Sequence, residues 1–213
     1  MKISSESLLV YAVTDRAWLN GRKVAQQVEE AIIGGATCIQ LREKQLSYED
    51  FLEEAVQVKK VTDCYNIPFI INDNVDIALA CDADGVHIGQ DDLPVGSVRA
   101  LMGPFKILGV SVQTVEQAIA AEKAGADYLG VGAMFQTSTK LGAKSVSFEI
   151  LKQICEAVSI SVVAIGGITE RNVLRLSDSG IDGIAVVSAV FAQSNIVEAT
   201  RKLAKLSERM VDA

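Results

Sequence analysis

Two short apolar runs in the middle of the chain, Phe69 to Ile71 and Gly85 to Ile88, lead straight into acid. Asn72 and Asp73 follow the first run directly, and Asp91 and Asp92 close a turn after the second. Short runs without polar alternation read as strands buried on both faces. Two neighbouring strands would then deliver carboxylates to the same end of a sheet. A hard divalent cation such as Mg2+ is held in this way, by one or two carboxylates plus the phosphates of a substrate. The competing roles are structural: Asp73 or Asn74 as the cap of a helix beginning near Val75, and Asp91 with Asp92 as a turn before Pro94.

Other residue types suggest anions. Gly166 with Gly167, and Val187 with Ser188, each follow an apolar run. Backbone N–H groups at such strand ends can hold a phosphate, and glycine permits the close approach. A tight turn and a helix cap are the plain alternatives. Arg42, Lys44 and Lys140 are single cations in polar loops, and on one rim with Asp73 and Asp92 they would form a diphosphate clamp. Gln40 and Ser111 are neutral strand-end groups suited to hydrogen bonds with a polar ring. His87 lies inside a strand run and reads more readily as a satisfied core histidine than as a catalytic one.

Composition narrows the chemistry. The net charge of -7 over 213 residues argues against a nucleic-acid surface, which needs a basic face. Cys38, Cys64, Cys81 and Cys155 show no metal-type pairing and read as reduced thiols of a cytoplasmic protein. The one histidine excludes mechanisms that need a pair. No apolar run approaches the ~20 residues of a membrane span, and the N-terminus lacks a signal-peptide pattern. Neither a nucleic-acid nor a membrane partner is expected. A homo-oligomer is compatible with the sequence, which shows no stripe that would identify its interface.

The elements that must position these residues alternate along the chain. Strands are expected at Leu8–Val13, Thr37–Leu41, Phe69–Ile71, Asp84–Ile88, Lys106–Val110, Tyr128–Val131, Ser161–Ile165 and Gly183–Val187. Helices are expected at Arg22–Ile33, from Ser47 to Tyr65, at Val75–Cys81, Val95–Met102, Thr114–Ala124 and Phe148–Val158, from Thr169 to near Gly180, and from Asn195 to Arg209. Eight strand-and-helix units without an internal linker point to a single α/β domain over 1–213, a (β/α)8 TIM barrel. An open doubly wound sheet is the competing architecture, but a GxGxxG turn after the first strand is missing. In a barrel the site is built at the carboxyl ends of the strands, where most of these polar residues fall.

Taken together, the segments YAVTD at Tyr11, QLREK at Gln40, IND at Ile71, DGVHIGQDD at Asp84, GVS at Gly109, GADYLGVG at Gly125, TSTK at Thr137, AIGGI at Ala164 and GIAVVSA at Gly183 resemble the thiamine-phosphate synthase family. The match runs in order through nearly the whole chain. The resemblance implies a transferase that joins 4-amino-5-hydroxymethyl-2-methylpyrimidine diphosphate to 4-methyl-5-(2-phosphoethyl)thiazole with Mg2+. It implies Asp73 and Asp92 as metal ligands. Gln40, Leu41, Arg42, Glu43, Lys44, Asn72, Ser111 and Lys140 would contact the pyrimidine diphosphate, with Arg42, Lys44, Ser111 and Lys140 as the catalytic set. Thr137, Ser138, Thr139, Gly167, Val187 and Ser188 would hold the thiazole phosphate. Diphosphate would depart before the thiazole nitrogen attacks, so no nucleophilic side chain is required.

Prolines common in the family are replaced here by Ala133 and Gln136, and the loop carrying Lys140 is expected to move and close as a lid. Two rivals remain at this stage. One is a thiazole tautomerase, which would not need the diphosphate clamp; the other is a non-catalytic sensor of phosphorylated thiamine precursors.

Overall fold

A computed structural model describes residues 3–137 and 145–212. Its strands are β1 (Val10–Val13), β2 (Cys38–Leu41), β3 (Phe69–Asn72), β4 (Gly85–Ile88), β5 (Ile107–Val112), β6 (Tyr128–Val131), β7 (Ser161–Ile165) and β8 (Gly183–Val186). They pair in sequence order, and β8 pairs back onto β1, so the sheet closes as a parallel barrel. The helices are α1 (Val24–Gly34), α2 (Tyr48–Tyr65), α3 (Val75–Ala80), α4 (Val95–Met102), α5 (Val115–Lys123), α6 (Phe148–Ala157), α7 (Ser188–Phe191) and α8 (Ile196–Val211). None of the described helices is long and apolar enough to cross a membrane.

Local chemistry sets the entry points of these helices. Ser47, Asn74, Thr114, Ser147 and Asn195 each accept a hydrogen bond from the backbone N–H three residues on. That satisfies one of the donors a helix start leaves open. The capping of α3 falls to Asn74, which leaves the Asp73 carboxylate available for other work.

Alternation along each strand divides the apolar residues into two layers. Ile39, Leu41, Ile71, Val86 and Leu108 point outward and pack under the helices. Tyr11, Cys38, Ile70, Tyr128, Val163 and Ala185 fill the barrel interior. Full burial of each large aliphatic side chain stabilises the fold by ~2 kcal/mol. The interior is not filled uniformly, because Gly85, Gly109 and Gly130 stand on inward positions. At Gly109 an added Cβ would lie 2.1 Å from Cζ of Tyr128, so the glycine is what admits that ring.

The expected alternation is observed with three differences. The crossover from β7 to β8 contains only a 3-10 turn, Val173–Leu176, where a helix from Thr169 was expected. Asn172 accepts from Thr169 N–H and donates to the Gly167 carbonyl, which folds the chain into a loop. Asp178 and Gly180 then take positive φ, a conformation no α-helix continues through. β5 extends two residues past Val110, so Ser111 is part of the strand. α7 is an additional short helix after β8, entered through Val187.

Candidate active site

A cavity of about 600 Å³ opens at the carboxyl ends of the strands. Its size lies within the range of small-molecule sites. Gln40, Arg42, Lys44, Asn72, Asp73, Asp92, Ser111, Thr137, Gly167, Val187 and Ser188 all line it. Residues predicted from seven scattered segments thus meet on one surface. Ser138, Thr139, Lys140 and the lid expected around them lie outside the described residues.

Leu41 and Glu43 do not join this set. Leu41 is fully buried in the layer under the helices, because it alternates with the inward Gln40. Glu43 alternates in the same way with Arg42 and Lys44. Its Oε2 accepts from Arg16 Nε at 3.0 Å, and the same guanidinium donates to both oxygens of Glu54 in α2. Glu43 Oε1 is buried without a partner among the described residues. Burial raises the Glu54 pKa to about 7, with the neighbouring Glu43 adding to the effect and Arg16 opposing it. These three residues brace the loop beneath Arg42 and Lys44. The backbone of that loop is also tied to β1, where Arg42 N–H donates to Thr14 Oγ1 at 3.0 Å.

One side of the cavity is charged. Lys44 pairs with Asp73 across the gap between β2 and β3. Asp92 accepts from the Gly89 backbone N–H at 2.7 Å, which holds its carboxylate at the end of β4. The Asp92 pKa is raised, chiefly by loss of hydration and then by the nearby Asp73 carboxylate, while Gly89 and Lys44 work in the opposite direction. Two carboxylates held this close favour a shared cation. Among the described residues no third acidic, histidine or cysteine side chain completes a protein-only metal cage. The donor set therefore suits an ion that takes its remaining oxygens from water and a phosphorylated ligand.

The opposite side, at β7 and β8, is formed by Gly167, Val187 and Ser188. Gly167 has φ +65°, and a Cβ there would come within 2.4 Å of the Gln136 carbonyl oxygen. The glycine lets the segment after β6 lie directly on the end of β7, where Phe135 N–H bonds the Gly166 carbonyl at 3.0 Å.

The floor is polar, and sequence reasoning missed its two tyrosines. Gln40 Nε2 donates to the Tyr11 hydroxyl at 2.6 Å, and the Tyr11 and Tyr128 hydroxyls are 2.8 Å apart. Tyr128 lies 2.9 Å from His87 Nδ1, and His87 Nε2 lies 2.8 Å from Ser111 Oγ. Burial pushes both tyrosine pKa values well above the usual phenol range, so both remain neutral donors. His87 is buried as expected, yet it reaches the cavity. Gln90, which donates to the Ser111 carbonyl at 2.7 Å, is a further wall residue. The available signal was strand parity combined with the inward glycines, which mark where large interior side chains need room.

Known proteins resemble this chain over nearly its whole length. The family model described as thiamine monophosphate synthase matches residues 10–190. Thiamine-phosphate synthase from Clostridium tetani is 54% identical over 194 residues, covering 91% of this chain and 93% of that protein. The enzyme of the same name from Enterococcus faecalis is 49% identical over 208 residues, covering 98% of each. Thiamine phosphate pyrophosphorylase from Pyrococcus furiosus superposes with a TM-score of 0.90 at 40% identity, covering 97% of this chain and 98% of that one. With the motif-bearing strands and both ends of the cavity inside the matched region, the chain belongs to the thiamine-phosphate synthase family of transferases.

Proposed function

We propose that the cavity couples 4-amino-5-hydroxymethyl-2-methylpyrimidine diphosphate to 4-methyl-5-(2-phosphoethyl)thiazole by a dissociative substitution. The observation that carries this reading is the asymmetry of the cavity. Arg42, Lys44, Asp73 and Asp92 crowd one end, while Gly167, Val187 and Ser188 form a neutral end across from them. The first end suits a diphosphate with a cation, the second a monophosphate, and the space between can take two rings.

In this reaction the bond between the exocyclic methylene carbon and the diphosphate oxygen breaks, and the oxygen keeps the electron pair. The amino group of the ring stabilises the resulting cation. The thiazole nitrogen then donates its lone pair to the methylene carbon, forming the new C–N bond. Arg42 and Lys44 neutralise charge on the leaving diphosphate, and Lys140 would join them from its loop. Gln40 and Ser111 would hold the pyrimidine ring, Asn72 would contact the pyrimidine diphosphate, and Thr137 with Ser138 and Thr139 would serve the thiazole phosphate. Asp73 and Asp92 would hold Mg2+, which supplies further neutralisation of the diphosphate when bound. The protein contributes position and electrostatics and keeps water from the cation.

A cytoplasmic location suits the four free thiols and a phosphorylated pair of substrates. The test is to mix both substrates with Mg2+ and measure thiamine phosphate and released diphosphate. Coupling supports the reading. Tautomerised thiazole without coupling, or binding without turnover, would replace it with the tautomerase or the sensor.

A further inference from the structure

The row of polar groups under the cavity contains a logical constraint. Tyr11 and Tyr128 are 1% and 0% exposed, so each hydroxyl hydrogen must find its acceptor inside the row. With the Gln40 amide nitrogen on the Tyr11 oxygen, the Tyr11 hydrogen has, among the described residues, the Tyr128 oxygen as its acceptor. Tyr128 must then donate onward to His87 Nδ1. A neutral imidazole carries one N–H, which is left on Nε2 and donates to Ser111 Oγ. The Ser111 hydrogen, displaced from His87, is directed to the cavity. Turning the Gln40 amide over reverses every step and leaves Ser111 as an acceptor.

We infer that Tyr11, Tyr128 and His87 are positioning residues that lock the polarity of the ring site, so that Gln40 presents its carbonyl oxygen while Ser111 presents its hydroxyl hydrogen. These three side chains need not touch the substrate. They hold His87 as the neutral Nε2–H tautomer and thereby determine what the two strand-end groups offer. A ring that donates toward β2 and accepts toward β5 satisfies both. This deepens the proposed reaction and rests on it for the identity of the ring, because a 4-aminopyrimidine carries an N–H donor and ring-nitrogen acceptors. A 4-oxo analogue reverses the donor and acceptor at that edge.

The chain contains one histidine, so 15N-labelled histidine yields a single pair of ring-nitrogen resonances to assign. In the free protein the expected state is an Nδ1 without hydrogen, accepting from Tyr128, and a protonated Nε2. In Tyr128→Phe, which keeps the ring volume, that preference is lost and the Nδ1–H form gains population. The 4-amino pyrimidine alcohol is expected to bind the parent about ten-fold more tightly than its 4-oxo analogue, with the ratio falling toward unity in Tyr128→Phe. An Nδ1–H tautomer or an imidazolium in the parent would overturn the inference. So would an unchanged tautomer in Tyr128→Phe, or a preference for the amino ring that survives there. The expected tautomers with neither pyrimidine binding would support the lock and overturn the proposed substrate instead.

Discussion

Gly109 on β5 lies directly beneath the ring of Tyr128 on β6, at a separation that leaves no room for a methyl group. The backbone of one strand is thus the shelf for the aromatic residue of the next. Gly109→Ala should destabilise the protein by about 3 kcal/mol through overpacking, measured as a lower urea midpoint. Gly96→Ala is the control, since nothing lies within 4 Å of its added Cβ; its midpoint should stay the same or rise.

Asp92→Ala should lower coupling by about 100-fold while leaving unfolding cooperative, because it removes charge from the rim and nothing from the core. The raised Asp92 pKa gives the sign for stability. Its carboxylate is disfavoured in the fold, so the contribution is fullest at acid pH and is lost as pH rises through the folded pKa. Without Mg2+ at neutral pH, Asp92→Asn should therefore melt no lower than the parent. With Mg2+ and diphosphate added, thermal melts should rise for the parent and much less for the variant.

Glu54 provides a second pH dependence, away from the cavity. Its pKa rises from 4.5 to about 7, first through burial and then through Glu43, so the folded state favours its protonated form. This contribution is present below 4.5 and is lost as pH climbs through about 7. Glu54→Gln should flatten that part of a melting-temperature profile. Arg16→Ala should do harm at neutral pH by leaving the buried Glu43 unpaired; the rate should fall with the melting temperature as the loop bearing Arg42 and Lys44 loosens.

Arg99 joins three segments outside the site. Its guanidinium donates to the carbonyls of Gly103, Lys106 and Gly125 and pairs with Asp127, which itself accepts from Leu108 N–H. Arg99→Ala should cost about 3 kcal/mol in denaturant unfolding, and Arg99→Lys should recover little, since an ammonium cannot reproduce the planar fork. The turnover number of the remaining folded enzyme should be unchanged.

The fold was legible because buried parallel strands declare themselves as uninterrupted apolar runs, and β7 matches its expected range from Ser161 to Ile165. The Asp73, Asp92 and Lys44 cluster was legible for a related reason: polar residues directly after such runs must emerge at one rim. The β7–β8 crossover was not. A helix was expected from Thr169 to near Gly180, while the Asn172 side chain and two positive-φ residues closed the segment into a loop. Gln40, Ser111 and His87 were legible in the floor, but Tyr11 and Tyr128 were missed because they look like ordinary core aromatics when each strand is read alone. Their pairing spans 117 positions of sequence and is visible only once the barrel is closed. Leu41 and Glu43 were grouped with their neighbours by adjacency, although successive residues of an extended segment face opposite ways.

That long-range pairing bears on any attempt to divide the protein. Gln40 and Tyr11 come from the first quarter of the chain, His87 and Ser111 from the middle, and Tyr128 from beyond it. A fragment ending after β4 would keep Gln40 on the Tyr11 phenol but part that phenol from Tyr128, and part the His87 imidazole from both Tyr128 and Ser111, a loss of a few kcal/mol that a half-sized core cannot absorb. Split versions of this enzyme should therefore remain inert apart and recover only when both pieces are supplied together.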